Sequence, residues 1–305
     1  MNERKERNSG NNQLKAEKIL ARIKDLEKGV DSLRKIENKA IRKYGLNAIR
    51  HTKLFDDFLS DPISYFGKKK GVEYYTTVGE LKKRLETDSR YQKIISTSIS
   101  AQLRNLYEAW VFMGILQNLA CTIVEPRDLT KTLVLRPITI SNSATVVAEI
   151  ENGLYLAFFL DTPLPYKNTR RGQKYRSRPD IGIYLLESMQ KPQEHLYLPT
   201  SSRLKLLALV ECKESIVWPW TKKKIIDPFH ESKEKIEVSH LQMLLFYEKL
   251  YAPPLLSLVS RQRTPYRAHK VLSETGIVVY DAVGFNEEVL KKLASRIKKE
   301  IPEIN

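Results

Sequence analysis

The chain has 305 residues, 42% of them hydrophobic and 29% charged, and its 52 Lys and Arg against 36 Asp and Glu leave a formal charge of +16. That composition belongs to a folded globular protein, long enough for one large domain or two smaller ones. It excludes a disulfide scaffold and a thiolate zinc site, because the cysteines are Cys121 and Cys212 alone, so a metal would be held by oxygen ligands. No run nears the ~18 apolar residues of a membrane span, and the amino-terminal MNERKERNSGNNQ lacks the apolar core of a signal peptide. An intracellular, cytoplasmic location and no membrane partner are therefore expected. The excess of cations implies a polyanionic partner, nucleic acid before a lipid surface, since Lys and Arg that displace counterions from phosphates gain affinity without reading sequence.

Residues 1–12 are polar and charged and are expected to stay disordered. From Leu14 onward Ala16, Ile19, Ile23, Leu26, Val30 and Leu33 recur at alternating spacings of three and four, a coiled-coil seam. It could fold back on a second helical stretch near 46–59 or close a homodimer through residues 14–59. Segment 60–75, with Pro62, Gly67, Gly71 and a lysine triplet, reads as a loop. A capped helix follows from Thr77 to Leu85, then a long helix from about Ser98 to Ala120. Short β-branched and aromatic runs at 132–140, 144–150, 154–160, 181–186 and 204–212 read as strands. A helix is expected at 232–251, strands at 255–260 and 277–280, and an amphipathic helix at 286–300. This order predicts an α/β domain with a central mixed sheet flanked by helices over 91–305, behind a basic helical extension over 1–90.

The stretch LALVECKES, 207–215, ends an apolar run with Glu211 and Lys213 around Cys212. Strand side chains alternate faces, so Glu211 and Lys213 share one surface about 7 Å apart along the strand while Cys212 faces the other way. The strand candidate before it opens SRPDIGIYLL, with Asp180 at its entrance. Antiparallel pairing would set the start of the first strand beside the end of the second, and Asp180 beside Glu211 and Lys213. Two converging carboxylates repel unless a cation sits between them, and oxygen ligation suits Mg²⁺ or Mn²⁺. Ligands, an activated water and a positive charge beside the scissile group are what metal-assisted hydrolysis needs.

RPD at 178–180 and ECK at 211–213 resemble the signature of the PD-(D/E)xK, or restriction-endonuclease-like, nuclease superfamily, over about residues 95–285. The resemblance implies a core of a helix, three antiparallel strands, a helix and a further strand. It implies that Asp180, Glu211 and the Cys212 carbonyl bind the divalent metal and that Lys213 is the catalytic lysine. Such nucleases often carry one more acid on the first core helix, and Glu108 is the only charge within LYEAWVFMGIL, where an ionised carboxylate is costly unless paired or metal-bound. RecB-like members carry Gln on the helix after the ExK strand with Tyr four residues on. Gln242 matches, although Phe246 holds that position here and the tyrosine is Tyr247.

The segment TPLPYKNTRRGQKYRSR places Lys167, Arg170, Arg171, Lys174, Arg176 and Arg178 ahead of Asp180 with no acid among them. Its cations would hold phosphates at the catalytic edge, and Tyr175 could stack on bases. VWPWTKKK sets Trp218 and Trp220 before Lys222, Lys223 and Lys224, a second candidate DNA contact. The expectation is a metal-dependent deoxyribonuclease, an endonuclease, with DNA as partner. A catalytically inactive nucleic-acid-binding protein of the same fold and a coiled-coil-mediated assembly protein are the alternatives.

Overall fold

The computed structural model describes residues 2–67, 77–125, 131–135, 144–150, 153–160, 179–186, 204–226 and 235–302. Its chain divides into two compact units, Met1–Lys35 with His51–Leu106 and Ile36–Arg50 with Tyr107–Asn305. The boundary expected near residue 90 lies in the first turn of a helix, and the division into units runs through the two longest helices instead.

Helix α1, Asn2–Tyr44, begins ahead of the apolar seam and takes in the residues expected to be disordered. Once the seam nucleates a helix, Lys, Arg, Glu and Gln extend it at little cost, each being a good helix former. Ala16, Ile19, Ile23, Leu26, Val30 and Leu33 are all buried within the first unit, as expected of a seam that folds back on its own chain. Around them stand α2 (Lys53–Ser60), α3 (Pro62–Gly67), α4 (Val78–Thr87) and the start of α5 (Ser89–Asn118). Arg34 donates to the Leu59 carbonyl at 2.6 Å and Gln92 to Asn12 and Leu85 carbonyls at 3.1 and 2.7 Å, tying α1 to α2 and to α5.

The loop read over 60–75 contains α3, because Pro62 at a first helical position has no N–H to waste and a φ already suited to a helix. Phe58, Tyr65 and Phe66 pack edge to face there. Helix α4 has the capping box that Thr77 and Glu80 predict. Helix α5 starts about nine residues earlier than its apolar run, since Asp88 accepts from the Tyr91 N–H at 2.9 Å and caps it.

In the second unit a seven-stranded mixed sheet has the order β11-β10-β7-β6-β5-β4-β2. Its strands are β2 (Cys121–Glu125), β4 (Val146–Ile150), β5 (Tyr155–Leu160), β6 (Ile181–Leu186), β7 (Leu204–Lys213), β10 (Leu255–Ser260) and β11 (Val278–Tyr280). From β2 to β7 neighbours run antiparallel, while β7, β10 and β11 run parallel. Helix α6 (His240–Tyr251) links the hairpin β8 (Lys222–Ile226) and β9 (Lys235–Ser239) to β10. Beyond β10 come α7 (Tyr266–Glu274) and α8 (Glu287–Lys299). A short parallel pair, β1 (Ala48–Arg50) with β3 (Thr132–Val134), completes the unit.

Two expectations are corrected. The helix read from 232 begins at His240, because KIEVS alternates and pairs with β8, burying Val238. The stretch read as helix near 46–59 opens with β1.

Leu209, Phe159, Tyr184 and Leu258 of the sheet pack in one core with Met243, Leu244 and Tyr247 of α6. Gly114 of α5 meets Leu290 of α8. A Cβ there would stand 2.0 Å from Leu290 Cδ1 and 3.2 Å from its Cβ, so the helices approach this closely only over a glycine.

Candidate active site

Strands β6 and β7 pair with Ile181 opposite Val210, so Asp180, one residue ahead of β6, meets the end of β7. The Cys212 N–H donates to Asp180 Oδ2 at 2.6 Å, and the Asp180 N–H reaches Glu211 Oε2 at 3.4 Å. Lys213 Nζ lies 3.5 Å from the same Asp180 oxygen and donates to Glu211 Oε1. The ammonium thus stands between two carboxylates. This is the juxtaposition that antiparallel pairing predicts.

Burial sets the electrostatics. The side chains of Glu211 and Lys213 are only 6% and 8% exposed, and Asp180 is 16% exposed. Desolvation first, and then the charge of Asp180, push the Glu211 carboxyl up to about 7, against the opposing pull of Lys213. Burial works against the Lys213 ammonium, yet Asp180 and Glu211 outweigh it and hold its pKa above the usual lysine range. Glu108, half-buried on α5, adds to that effect on Lys213 and also helps raise the Cys212 thiol, so its charge is felt by the cluster.

Among the described residues, no three His, Cys, Asp or Glu side chains are gathered closely enough to hold a metal ion. Asp180 and Glu211 come together, but Glu108 does not join them in a three-acid ligand group. The donor set still suits a hard cation. Burial, and then the charge of Asp180, keep the Glu211 pKa raised even beside a lysine. The Cys212 N–H faces β6, and in a ladder the carbonyl of the same residue emerges at the same edge. Two carboxylates and one carbonyl, completed by water, are a common way to hold Mg²⁺.

Gln242 sits in the first turn of α6, where its N–H donates to Ser239 Oγ at 3.2 Å and its Oε1 accepts from the Ser239 N–H at 2.7 Å, a capping box. That oxygen is committed to the helix end. Lys222, Lys223 and Lys224 are exposed on β8 rather than in a loop, and Lys222 pairs with Glu237 across the hairpin at 3.0 Å. Lys167, Arg170, Arg171, Lys174, Tyr175, Arg176 and Arg178 lie outside the described residues.

Sequence reasoning missed what supports the lysine. Parallel β10 places Ser260 opposite Lys213, and the Arg261 N–H donates to the Lys213 carbonyl at 2.7 Å while its Nε reaches the Glu214 carbonyl at 3.4 Å. The signal was present: LLSLVS, like LALVECK, is an apolar run ending in polar residues, and parallel strands in α/β sheets gather function at their carboxyl ends. On α5, Tyr107 is buried with no hydrogen-bond partner for its hydroxyl among the described residues, and burial followed by the nearby Cys212 drives its pKa well up.

No protein-family model, no curated protein and no solved structure matches this chain, so what it does has to be argued from its own residues.

Proposed function

We propose that this chain is a divalent-metal-dependent nuclease that hydrolyses DNA phosphodiester bonds on a restriction-endonuclease-like core. The observation that carries this reading is the buried group of Asp180, Glu211 and Lys213 at the adjoining ends of β6 and β7. The element order supports it: α5, then antiparallel β5, β6 and β7, then α6, then β10 parallel to β7, is the order that the family resemblance implies.

Asp180, Glu211 and the Cys212 carbonyl would hold Mg²⁺ or Mn²⁺, which supplies Lewis acidity and a water of lowered pKa. The Cys212 N–H fixes the Asp180 carboxylate, so that ligand is oriented before any cation arrives. Lys213, held protonated by its two neighbours, is suited to stabilise charge that develops on the phosphate and unsuited to act as a base. Glu108 contributes a further negative charge within reach of the same centre.

Cations for the DNA backbone are available in both units. In the first, Lys15, Lys18 and Arg22 of α1 and Lys93 of α5 line a groove of about 530 Å³ that has no carboxylate in its wall. Spacings of three and four put the α1 cations on one helix face, where they could follow successive phosphates. In the second, Lys222, Lys223 and Lys224 stand on the exposed hairpin.

Cleavage of supercoiled plasmid in Mg²⁺ or Mn²⁺, lost in Asp180→Ala and in Lys213→Ala, tests the proposal. The cluster also satisfies its own charges through the Lys213 ammonium, which favours a second reading, a non-catalytic DNA-binding protein of this fold. DNA binding without cleavage in either metal would select it.

A further inference from the structure

The two tryptophans of VWPWTKKK have opposite fates. Trp218 is 3% exposed and joins the core that contains Met243, Leu244 and Tyr247 of α6, whereas Trp220, in the same single 3-10 turn, is 55% exposed. Ile216 and Val217 beside it are 51% and 58% exposed. Large apolar side chains exposed singly need no explanation, but three within five residues do.

The turn that displays them is rigidly held. Pro219 is buried, the Trp220 N–H donates to the Val217 carbonyl at 3.2 Å and Thr221 Oγ1 donates to the same carbonyl at 3.2 Å. The His240 N–H donates to the Thr221 carbonyl at 3.1 Å, fastening the turn to α6. Directly after it come the exposed Lys222, Lys223 and Lys224, and among the described residues Lys223 and Lys224 are in no ion pair. Trp220 is seven residues beyond Lys213, so even a fully extended chain would set their Cα atoms no more than about 25 Å apart, a span of a few nucleotides.

An aromatic plane held at little entropic cost, flanked by apolar side chains and followed by cations, matches what an unpaired nucleotide presents: a base face and a phosphate. A duplex hides its base faces in the stack. We propose that Ile216, Val217 and Trp220, with Lys223 and Lys224, form a base-stacking surface that directs single-stranded or frayed DNA to the Asp180–Glu211–Lys213 centre. This rests on the reading of that centre as a nuclease site. A protein partner would be served by the apolar residues but leaves the adjoining lysines without a role.

Trp110 and Trp218 are buried, so Trp220 is the solvent-facing fluorophore of the three tryptophans. Oligo(dT) titrated into the full chain in EDTA should quench tryptophan emission, and the quench should disappear in Trp220→Phe, which keeps a stacking ring and most of the affinity. Trp220→Ala should weaken oligo(dT) binding by about tenfold and blunt duplex of equal length by less than about twofold. An absent quench, or equal losses on both DNAs, overturns the proposal. Self-association in sedimentation that Trp220→Ala abolishes would assign the surface to a second copy of the chain and overturns it as well. The two readings fail separately: strand discrimination through Trp220 with no cleavage of any DNA in Mg²⁺ or Mn²⁺ removes the nuclease, whereas metal-dependent cleavage whose preference between single strand and duplex is unchanged by Trp220→Ala removes the stacking surface alone.

Discussion

Charged side chains meet an apolar core at two places in this molecule, with opposite results. Along α1 the seam residues Ile19, Ile23 and Leu26 are buried while Lys15, Lys18 and Arg22 stand in solvent, each charge keeping its hydration. At the ends of β6 and β7 the charges themselves are inside, with Glu211 and Lys213 nearly as buried as the leucines before them. A surface charge costs little and is worth little, whereas a buried one is costly to desolvate and costlier still to leave unpaired. The helix illustrates how a chain folds with charge. The strand end illustrates a position where folding alone would favour an apolar residue, and this is why it is read as a centre of chemistry.

That contrast can be broken by changing lysines at both places. The largest effect is expected on cleavage: Asp180→Ala and Lys213→Ala should each lower the plasmid nicking rate by at least about 10²-fold, the scale on which a lost charge-stabilising group acts. Next comes stability. Lys213→Met leaves two buried carboxylates without their cation and should cost about 3–5 kcal/mol in urea unfolding at pH 8. Lys15→Gln, Lys18→Gln and Lys93→Gln should each stay within about 0.5 kcal/mol of the parent. Equal costs at the two places would erase the distinction.

Titration sharpens it. The Glu211 carboxyl is raised to about 7 from an ordinary 4.5, so between those values the folded chain keeps a proton that the unfolded chain has released. The contribution of this group to stability therefore falls as pH rises through that window, by up to about 3 kcal/mol, and is fully lost above it. Thermal unfolding at pH 5 and pH 8 should show that decline in the parent and a smaller one in Glu211→Gln. A steeper decline in the variant would contradict the assigned burial.

A smaller effect is expected where no charge is involved. Gly114→Ala should cost about 1–3 kcal/mol, because Leu290 must leave its fully buried position to admit the new methyl. The smallest is electrostatic and affects binding only. Replacing Lys15, Lys18 and Lys93 together by Gln should lower the slope of log affinity for duplex DNA against log salt by about 3, with the Asp180–Glu211–Lys213 group untouched.

Much of this was legible from local pattern. The capping box of α4 needs only Thr77 and Glu80 at their spacing, and β6 was bounded correctly because IGIYLL has a clear start at Asp180. Glu211 and Lys213 share a face because strand side chains alternate with a period of two, whatever the rest of the chain does. Pattern failed where an element is short or compositionally disguised. Three lysines in a row do not look like a strand, yet Lys222–Ile226 is one, since its backbone is satisfied by β9 and Ile225 supplies the burial. Gln242 forms a capping box with Ser239, a use of its side chain that the tertiary contacts do not decide but the helix start does.

By itself, then, the sequence determined which residues carry charge, how they alternate, where helices are capped and that a strand ends in Glu-Cys-Lys. Only the tertiary structure decided that Asp180 stands opposite that ending, that Glu211 is dry enough to hold a proton near neutrality and that Trp218 is inside while Trp220 is out. These are matters of register and burial. Both depend on which distant segments pack together, and no window of neighbouring residues contains that information.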